Sequence, residues 1–307
     1  MKTKTLGYVP FTGLGLYGGF RGNRWLRNRI KIFKQFVIPA LENQADKDFV
    51  LWVGWRPEER DNSHVIELAT WLESNTDLEY VFTFGGLCFW DDKYEDGVAM
   101  NRLSTALHKT LPSLIDATEG CEFIDMVLVP SDDLYHKNAF ASFKHAFNSD
   151  KAIGAVTFEH GYICNYHTKE VLEYNPNTNP PFFAIRFPRE IFFDPAKHVA
   201  YTGPYKSHEY IGNALKLAKL DGRGFMVGTH GENISTHFNH PFGGRRIDGQ
   251  EYIQLLKDFG IHETPKLSIP WSFRKWFMRQ LPHNWRRKVR YIFGEKLYEP
   301  FYKWMRN

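Results

Sequence analysis

Short apolar runs alternate along this chain with longer stretches whose apolar residues recur at helical spacing. Residues 3–12 predict a first strand, closed by the Gly-rich loop Gly13-Leu-Gly-Leu-Tyr-Gly-Gly19. That loop lacks both the GxGxxG order and the Walker lysine, so it is read as a turn. Over 24–41, Trp25, Ile30, Phe33, Val37 and Leu41 fall on or near one face, which predicts a helix bent near its end by Pro39. Residues 48–55 predict a second strand, 79–84 a third, and between them Asn62 or Ser63 caps a helix running to Leu72. A long helical pattern over 96–115 precedes a fourth apolar run, 123–129. Strands alternating with helices in this way predict an α/β fold: a mostly parallel sheet with helices on both faces.

Beyond residue 133 the order loosens. A helix is predicted over 138–147, a strand over 152–158, a hairpin over 162–174 and a strand over 182–187, the last two separated by an Asn/Pro-rich loop. Residues 205–220 predict a helix with Glu209 in its first turn. Asp221-Gly-Arg-Gly224 then breaks it, and a short strand from Phe225 ends at His230.

Chemistry gathers at the ends of these elements. The run 123–129 stops at Pro130 and Ser131 and presents two adjacent acids, Asp132 and Asp133. Ligands of open α/β sheets sit outside the carboxyl ends of strands. Adjacent carboxylates repel unless a cation lies between them, so a hard divalent ion is a natural partner. The plain alternative is an Asp-Asp turn ahead of the helix that begins near Asn138. Glu209 alone is a favourable charge at a helix start, and His230 alone is a hydrogen-bonding histidine. Their order along the chain, after the Asp-Asp pair, is what gives the set weight.

Composition changes the picture in three places. With 43% hydrophobic and 24% charged residues, the 307-residue chain can bury a sizeable core. Its three cysteines, Cys88, Cys121 and Cys164, are far apart and lack metal-ligand spacing, which predicts reduced thiols and a cytoplasmic protein. No signal-peptide pattern and no membrane-spanning run of about 18 apolar residues is seen. The net charge of +4 hides an asymmetry, because the basic residues crowd into the end of the chain and leave the rest mildly acidic. There, Phe273, Phe277 and Leu281 recur every four residues, flanked by Arg274, Lys275 and Arg279. That pattern predicts a helix lying on an anionic membrane surface, or one packed back on the body with a solvated basic face. Two parts are therefore expected: a domain over 1–262 and a basic amphipathic helical extension over 263–307. No nucleic-acid partner is expected, since no recognised fold supports one.

The ordered set of strand-end acids, helix-opening acid and strand-end histidine resembles the GT-A class of nucleotide-sugar-dependent glycosyltransferases, and more narrowly its rhamnosyltransferase-like branch. Also matching are Arg29-Ile-Lys-Ile-Phe33, Ile38-Pro-Ala-Leu-Glu-Asn-Gln44, Asp48-Phe-Val-Leu-Trp-Val53, Pro180-Pro-Phe-Phe183 and His230-Gly-Glu-Asn-Ile-Ser-Thr236. The likeness implies a GT-A-like, Rossmann-like fold and transfer of a hexose, with rhamnose the sugar named by the branch, from a nucleotide-sugar donor to a glycan or lipid-linked glycan. It implies that Asp132, Asp133 and His230 hold Mn²⁺ or Mg²⁺, with Asp132 also meeting the donor. Asn101 and Arg102 would flank the donor, and Glu209 would be the general base of an inverting reaction, a role worth about 10²–10⁴-fold. The family's acid two residues before the first Asp is replaced here by Pro130. Two other classes stay open: a metal-dependent nucleotidyl- or phosphoryl-transferase, and a non-catalytic glycan- or membrane-binding protein of the same fold.

Overall fold

The computed structural model describes residues 2–11, 23–56, 59–84, 114–202, 208–230, 233, 238 and 243–261. Asn101, Arg102 and the basic extension lie outside the described residues, as do the Gly-rich loop and nearly all of the helix expected over 96–115.

The described strands form one mixed sheet in the order β10-β7-β6-β8-β4-β1-β2-β3, with β9 joined to its side through β6 and β5. Its first half is parallel: β1 (Thr3–Pro10) lies between β2 (Phe49–Trp55) and β4 (Phe123–Leu128), and β3 (Tyr80–Phe84) adds outside β2. The second half turns antiparallel. There β8 (Phe183–Pro188) runs against β4, and β6 (Ala155–Asn165) runs against β8 and β7 (Val171–Tyr174). The hairpin expected over 162–174 is this β6–β7 pair, and β10 (Gly243–Arg246) adds outside it. The expected α/β class holds: the first half pairs parallel throughout, and in the second half the antiparallel pairs are joined by one long parallel pair, β6 with β9.

Alternation along the strands explains the layers. In β2, Leu51, Val53 and Trp55 face one apolar cluster, and Val50 and Trp52 face another. The first cluster is covered by α1 (Asn23–Ile32), α2 (Ile38–Glu42), α3 (Ser63–Asn75), α4 (Ala139–Ser149) and a late helix, Gly249–Asp258. The second holds Leu6, Tyr8, Ile124, Met126 and Leu128 beneath Leu114, Phe192 and Ile211. Strands buried on both faces read as continuous apolar runs, which is why β2 and β4 stand out in the sequence. Asn62 caps α3 by accepting from the His64 amide, as expected for a short polar residue at that position.

Two elements differ from expectation. A π-helical turn, Phe33–Val37, joins α1 to α2, so the helix adjusts its hydrogen bonding just ahead of Pro39. More consequentially, the helix expected over 205–220 is a 3₁₀ turn, His208–Asn213, followed by a thirteen-residue strand, β9 (Leu217–Thr229). Ala214-Leu-Lys-Leu-Ala-Lys219 favours helix locally, but pairing with β6 along its whole length overrides that preference. The Asp221-Gly-Arg-Gly segment lies inside the strand and does not end it. Its register irregularities fall beside Phe158 and His160 of β6.

Candidate active site

β9 explains the meeting of residues distant in sequence. Its inner end pairs with the two-residue strand β5 (Leu134–Tyr135), which directly follows the Asp-Asp turn at the carboxyl end of β4. The turn is fixed by three bonds. The Tyr135 hydroxyl donates to the Leu128 carbonyl at 2.7 Å, spanning it. The Tyr166 hydroxyl donates to the Asp132 carbonyl at 3.0 Å. The Gly228 amide donates to Asp133 Oδ1 at 2.8 Å. Gly228 has no substitute here, because a Cβ on it would lie 2.2 Å from the Tyr166 ring and 2.4 Å from the Asp132 carbonyl oxygen.

Three side chains converge on Asp132 Oδ2. His230, the first residue after β9, donates through Nε2 at 3.0 Å. Asn233 reaches it at 3.4 Å while also donating to the Gly228 carbonyl at 2.6 Å and accepting from the His230 amide at 2.8 Å. The third is Arg29 of α1, whose Nη1 forms an ion pair with the same oxygen. Arg29 is only 3% exposed, and its guanidinium lies over the Trp25 ring, 5.2 Å from the centroid. Behind the site Tyr166 stacks on Phe36 at 3.9 Å, so the π-helical turn buttresses the tyrosine that holds the aspartate turn.

The two acids have opposite electrostatics. Burial favours protonation of Asp132, but the Arg29 charge and the His230 bond outweigh it and hold the carboxyl at about 2. Asp133 is pushed well above the usual carboxylate range by burial and then by the charge of Asp132, the Gly228 amide bond only partly offsetting them. Asp132 is thus the anion of the pair, and Asp133 anchors the turn to β9.

The structure brings Asp132, Asp133 and His230 into one corner. Asp133, though, is turned onto a backbone amide, and among the described residues no group of three or more His, Cys, Asp or Glu side chains is arranged to hold a metal ion. Of the two acids, Asp132 is the one that could meet a cation, since it stays ionised with a partly exposed side chain, although Arg29, His230 and Asn233 already meet its Oδ2. Magnesium sites commonly use one or two carboxylates completed by substrate phosphates and water. Glu209 is placed by its backbone, in the 3₁₀ turn whose Ile211 enters the second core cluster. Arg29 is the residue that reading the sequence missed as part of the site, and it had a signal. Trp25, Arg29 and Phe33 are spaced four apart, so the arginine sits on the apolar stripe and not on the polar face.

No family model matches the chain, and no curated protein matches it. Among solved structures, the crystal structure of S. aureus TarS 1-349 superposes with a TM-score of 0.38 at 12% identity, covering 74% of this chain and 60% of that one. A second TarS crystal structure gives 0.36 at 13% identity, with 75% of this chain matched to 37% of that one. This chain thus spans at most 60% of the length of either TarS chain. Similarity at this level does not define a fold; the strand order and register above do.

Proposed function

We propose that this protein is a glycosyltransferase acting from a nucleotide-sugar donor, with its donor site at the Asp132 corner. The observation that supports it is an ionised aspartate, at the carboxyl end of a parallel half-sheet, braced by a buried arginine and a strand-end histidine. In the proposed reaction an acceptor hydroxyl oxygen bonds to the anomeric carbon of the donor. The bond from that carbon to the diphosphate breaks, and its electron pair leaves with the nucleoside diphosphate. The hydroxyl proton passes to a base, for which Glu209 is proposed, with inversion at the anomeric carbon. Asp132 would hold Mn²⁺ or Mg²⁺, and such an ion supplies positive charge against a departing diphosphate when bound. Preorganised charge of this kind is a major source of catalysis where a leaving group gains negative charge.

A hexose is proposed as the transferred sugar, with rhamnose one candidate, and a glycan or lipid-linked glycan as the acceptor. The basic aromatic extension, 263–307, is proposed to hold the enzyme at an anionic membrane surface. No helix among the described residues is long and apolar enough to cross a membrane. Sedimentation with anionic and with neutral vesicles, full chain against a chain ending at residue 262, tests the extension separately.

The test of the site is thermal stability with a panel of nucleoside diphosphates and nucleotide sugars, rhamnose donors included, with and without Mn²⁺. A ligand that binds the folded state raises the unfolding midpoint. The expected result is a Mn²⁺-dependent rise for one nucleotide class that is lost in Asp132→Asn. A rise with no nucleotide at saturating concentrations would remove the reading. A response confined to nucleoside triphosphates would favour nucleotidyl transfer.

A further inference from the structure

The Asp221-Gly-Arg-Gly224 segment takes no part in the site described above, yet three of its four residues have a structural task. β9 takes five steps from Leu220 to Phe225 where β6 takes three from Phe158 to Gly161, so β9 bulges here. Gly222 supplies a φ of +86° to the bulge, and Gly224 leaves room for the Phe158 ring, which a Cβ there would meet at 2.4 Å. Arg223 fastens the bulge by donating from Nη1 to the Gly161 carbonyl at 2.8 Å and to Asn175 Oδ1 at 2.9 Å. Asp221 is the exception. It is exposed, and among the described residues it makes no side-chain hydrogen bond and no ion pair.

The bulge gives Asp221 a direction. Consecutive residues of a regular strand face opposite sides of the sheet. Here Leu220 and Asp221 line the same groove, which lies between β9 and α4 and has a volume of about 340 Å³. Phe158, Leu220 and Ala141 supply its apolar surface, and Ser142 and His145 join Asp221 as its polar groups. The side chains of Ser142 and His145 likewise make no hydrogen bond among the described residues. A carboxylate, a hydroxyl and an imidazole, all uncommitted and set against an apolar wall, suit a ligand with many hydroxyls and an apolar face. No Lys or Arg is among the lining residues, which disfavours a phosphate. One carboxylate and one histidine are too few for a metal site, and none is found among the described residues.

We propose that this groove is a saccharide-binding subsite. Asp221, Ser142 and His145 bond the hydroxyls of a neutral sugar ring, and the C–H face of the ring packs on Leu220 and Phe158. The inference goes beyond the donor reading, because the groove shares no residue with the Asp132 corner and its ligand carries no nucleotide. A glycan held at both places would gain affinity from the second contact without any change at the first.

The test is NMR of the full chain with His145 as the reporter. Its ring resonances, assigned by comparison with His145→Gln, are followed during titration with glucose, galactose, mannose, rhamnose, N-acetylglucosamine and disaccharides of each. At least one sugar is expected to shift them saturably in the millimolar range. Asp221→Ala is expected to weaken that binding at least about tenfold, since hydrogen bonds to a charged group are the stronger kind. Ser142→Trp, which fills the groove, is expected to abolish it. Asp132→Asn is expected to leave it unchanged, so a failure of the donor site and a failure of the groove are told apart.

No saturable shift with any of these sugars up to their solubility overturns the proposal. So does equal binding in Asp221→Ala and Ser142→Trp, which would place the sugar elsewhere. A stronger response of His145 to inorganic phosphate or to Mn²⁺ alone also overturns it, by making the groove an ion site.

Discussion

The amide of Gly228 donates to Asp133 Oδ1 at 2.8 Å, although the two residues lie 95 positions apart in the chain. That bond joins the last residues of β9 to the strand-end acids, and it requires the backbone of β9 to pass where a side chain would otherwise sit. Gly228→Ala is therefore expected to destabilise the protein by about 1–3 kcal/mol through overpacking against Tyr166 and the Asp132 carbonyl. Urea denaturation gives the number. A midpoint unchanged from wild type would mean that the corner relaxes freely and that Gly228 is not needed for the close approach.

Tyr166 separates positioning from packing. Its ring stacks on Phe36, and its hydroxyl meets the Asp132 carbonyl. Tyr166→Phe keeps the stack and removes only the donor, which is expected to cost about 1–3 kcal/mol by leaving a buried carbonyl unsatisfied. Because the lost bond holds the aspartate turn, the variant should also weaken nucleotide binding by more than Cys164→Ser, a change at a buried thiol behind the site. Calorimetric titration of the responding nucleotide decides. Equal affinities in the two variants would assign Tyr166 to packing alone.

How much of this could be read beforehand depended on whether the relevant physics was local. β1, β2 and β4 were legible because a strand buried on both faces is a continuous apolar run. The Asp132 and His230 strand ends were legible because strand ends in α/β sheets are where ligands sit. β9 was not. Its first residues are Ala, Leu and Lys, helix formers held extended by a parallel partner sixty residues away in the chain, and no local pattern reports that partner. Arg29 was half legible: its place on an apolar stripe marks it as buried, but which acid it meets follows only from how α1 crosses the end of β4. The same holds for Arg186 and Asp125, an arginine and an aspartate inside strands that each read as apolar.

That second pair predicts an asymmetry. Asp125 and Arg186 are cross-strand partners of β4 and β8, joined through Nε to Oδ1 at 2.6 Å and Nη2 to Oδ2 at 2.7 Å, and both are buried. The guanidinium also donates to Asn148 Oδ1 and lies 4.6 Å from the Phe147 ring centroid, tying α4 to the sheet. Arg186→Met strands a carboxylate in the core and is expected to cost about 3–5 kcal/mol. Asp125→Leu with Arg186→Met removes both charges and should cost less than the single arginine change. Chemical denaturation of the two variants side by side checks this, and a double variant less stable than the single one would refute it.

His198 gives a pH dependence whose sign can be worked out. The ring is buried, 4.4 Å from the Phe187 centroid and 5.1 Å from that of Phe192, and Nδ1 donates to the Phe192 carbonyl at 3.1 Å. Burial pushes its pKa down to about 4, the carbonyl bond opposing that shift only in part. In the unfolded chain the ring titrates near 6.5. Above that pH it is neutral in both states and contributes no slope. As pH falls from 6.5 toward 4, the unfolded state takes up a proton that the folded state refuses, so stability falls. Below about 4 both states are protonated and the loss is constant, on the order of 3 kcal/mol. Urea unfolding of wild type across that interval should therefore show a steeper decline than His198→Asn, whose side chain does not titrate. Parallel declines in the two proteins would mean that His198 is charged in the folded state, and that the Phe187–Phe192 pocket tolerates an imidazolium.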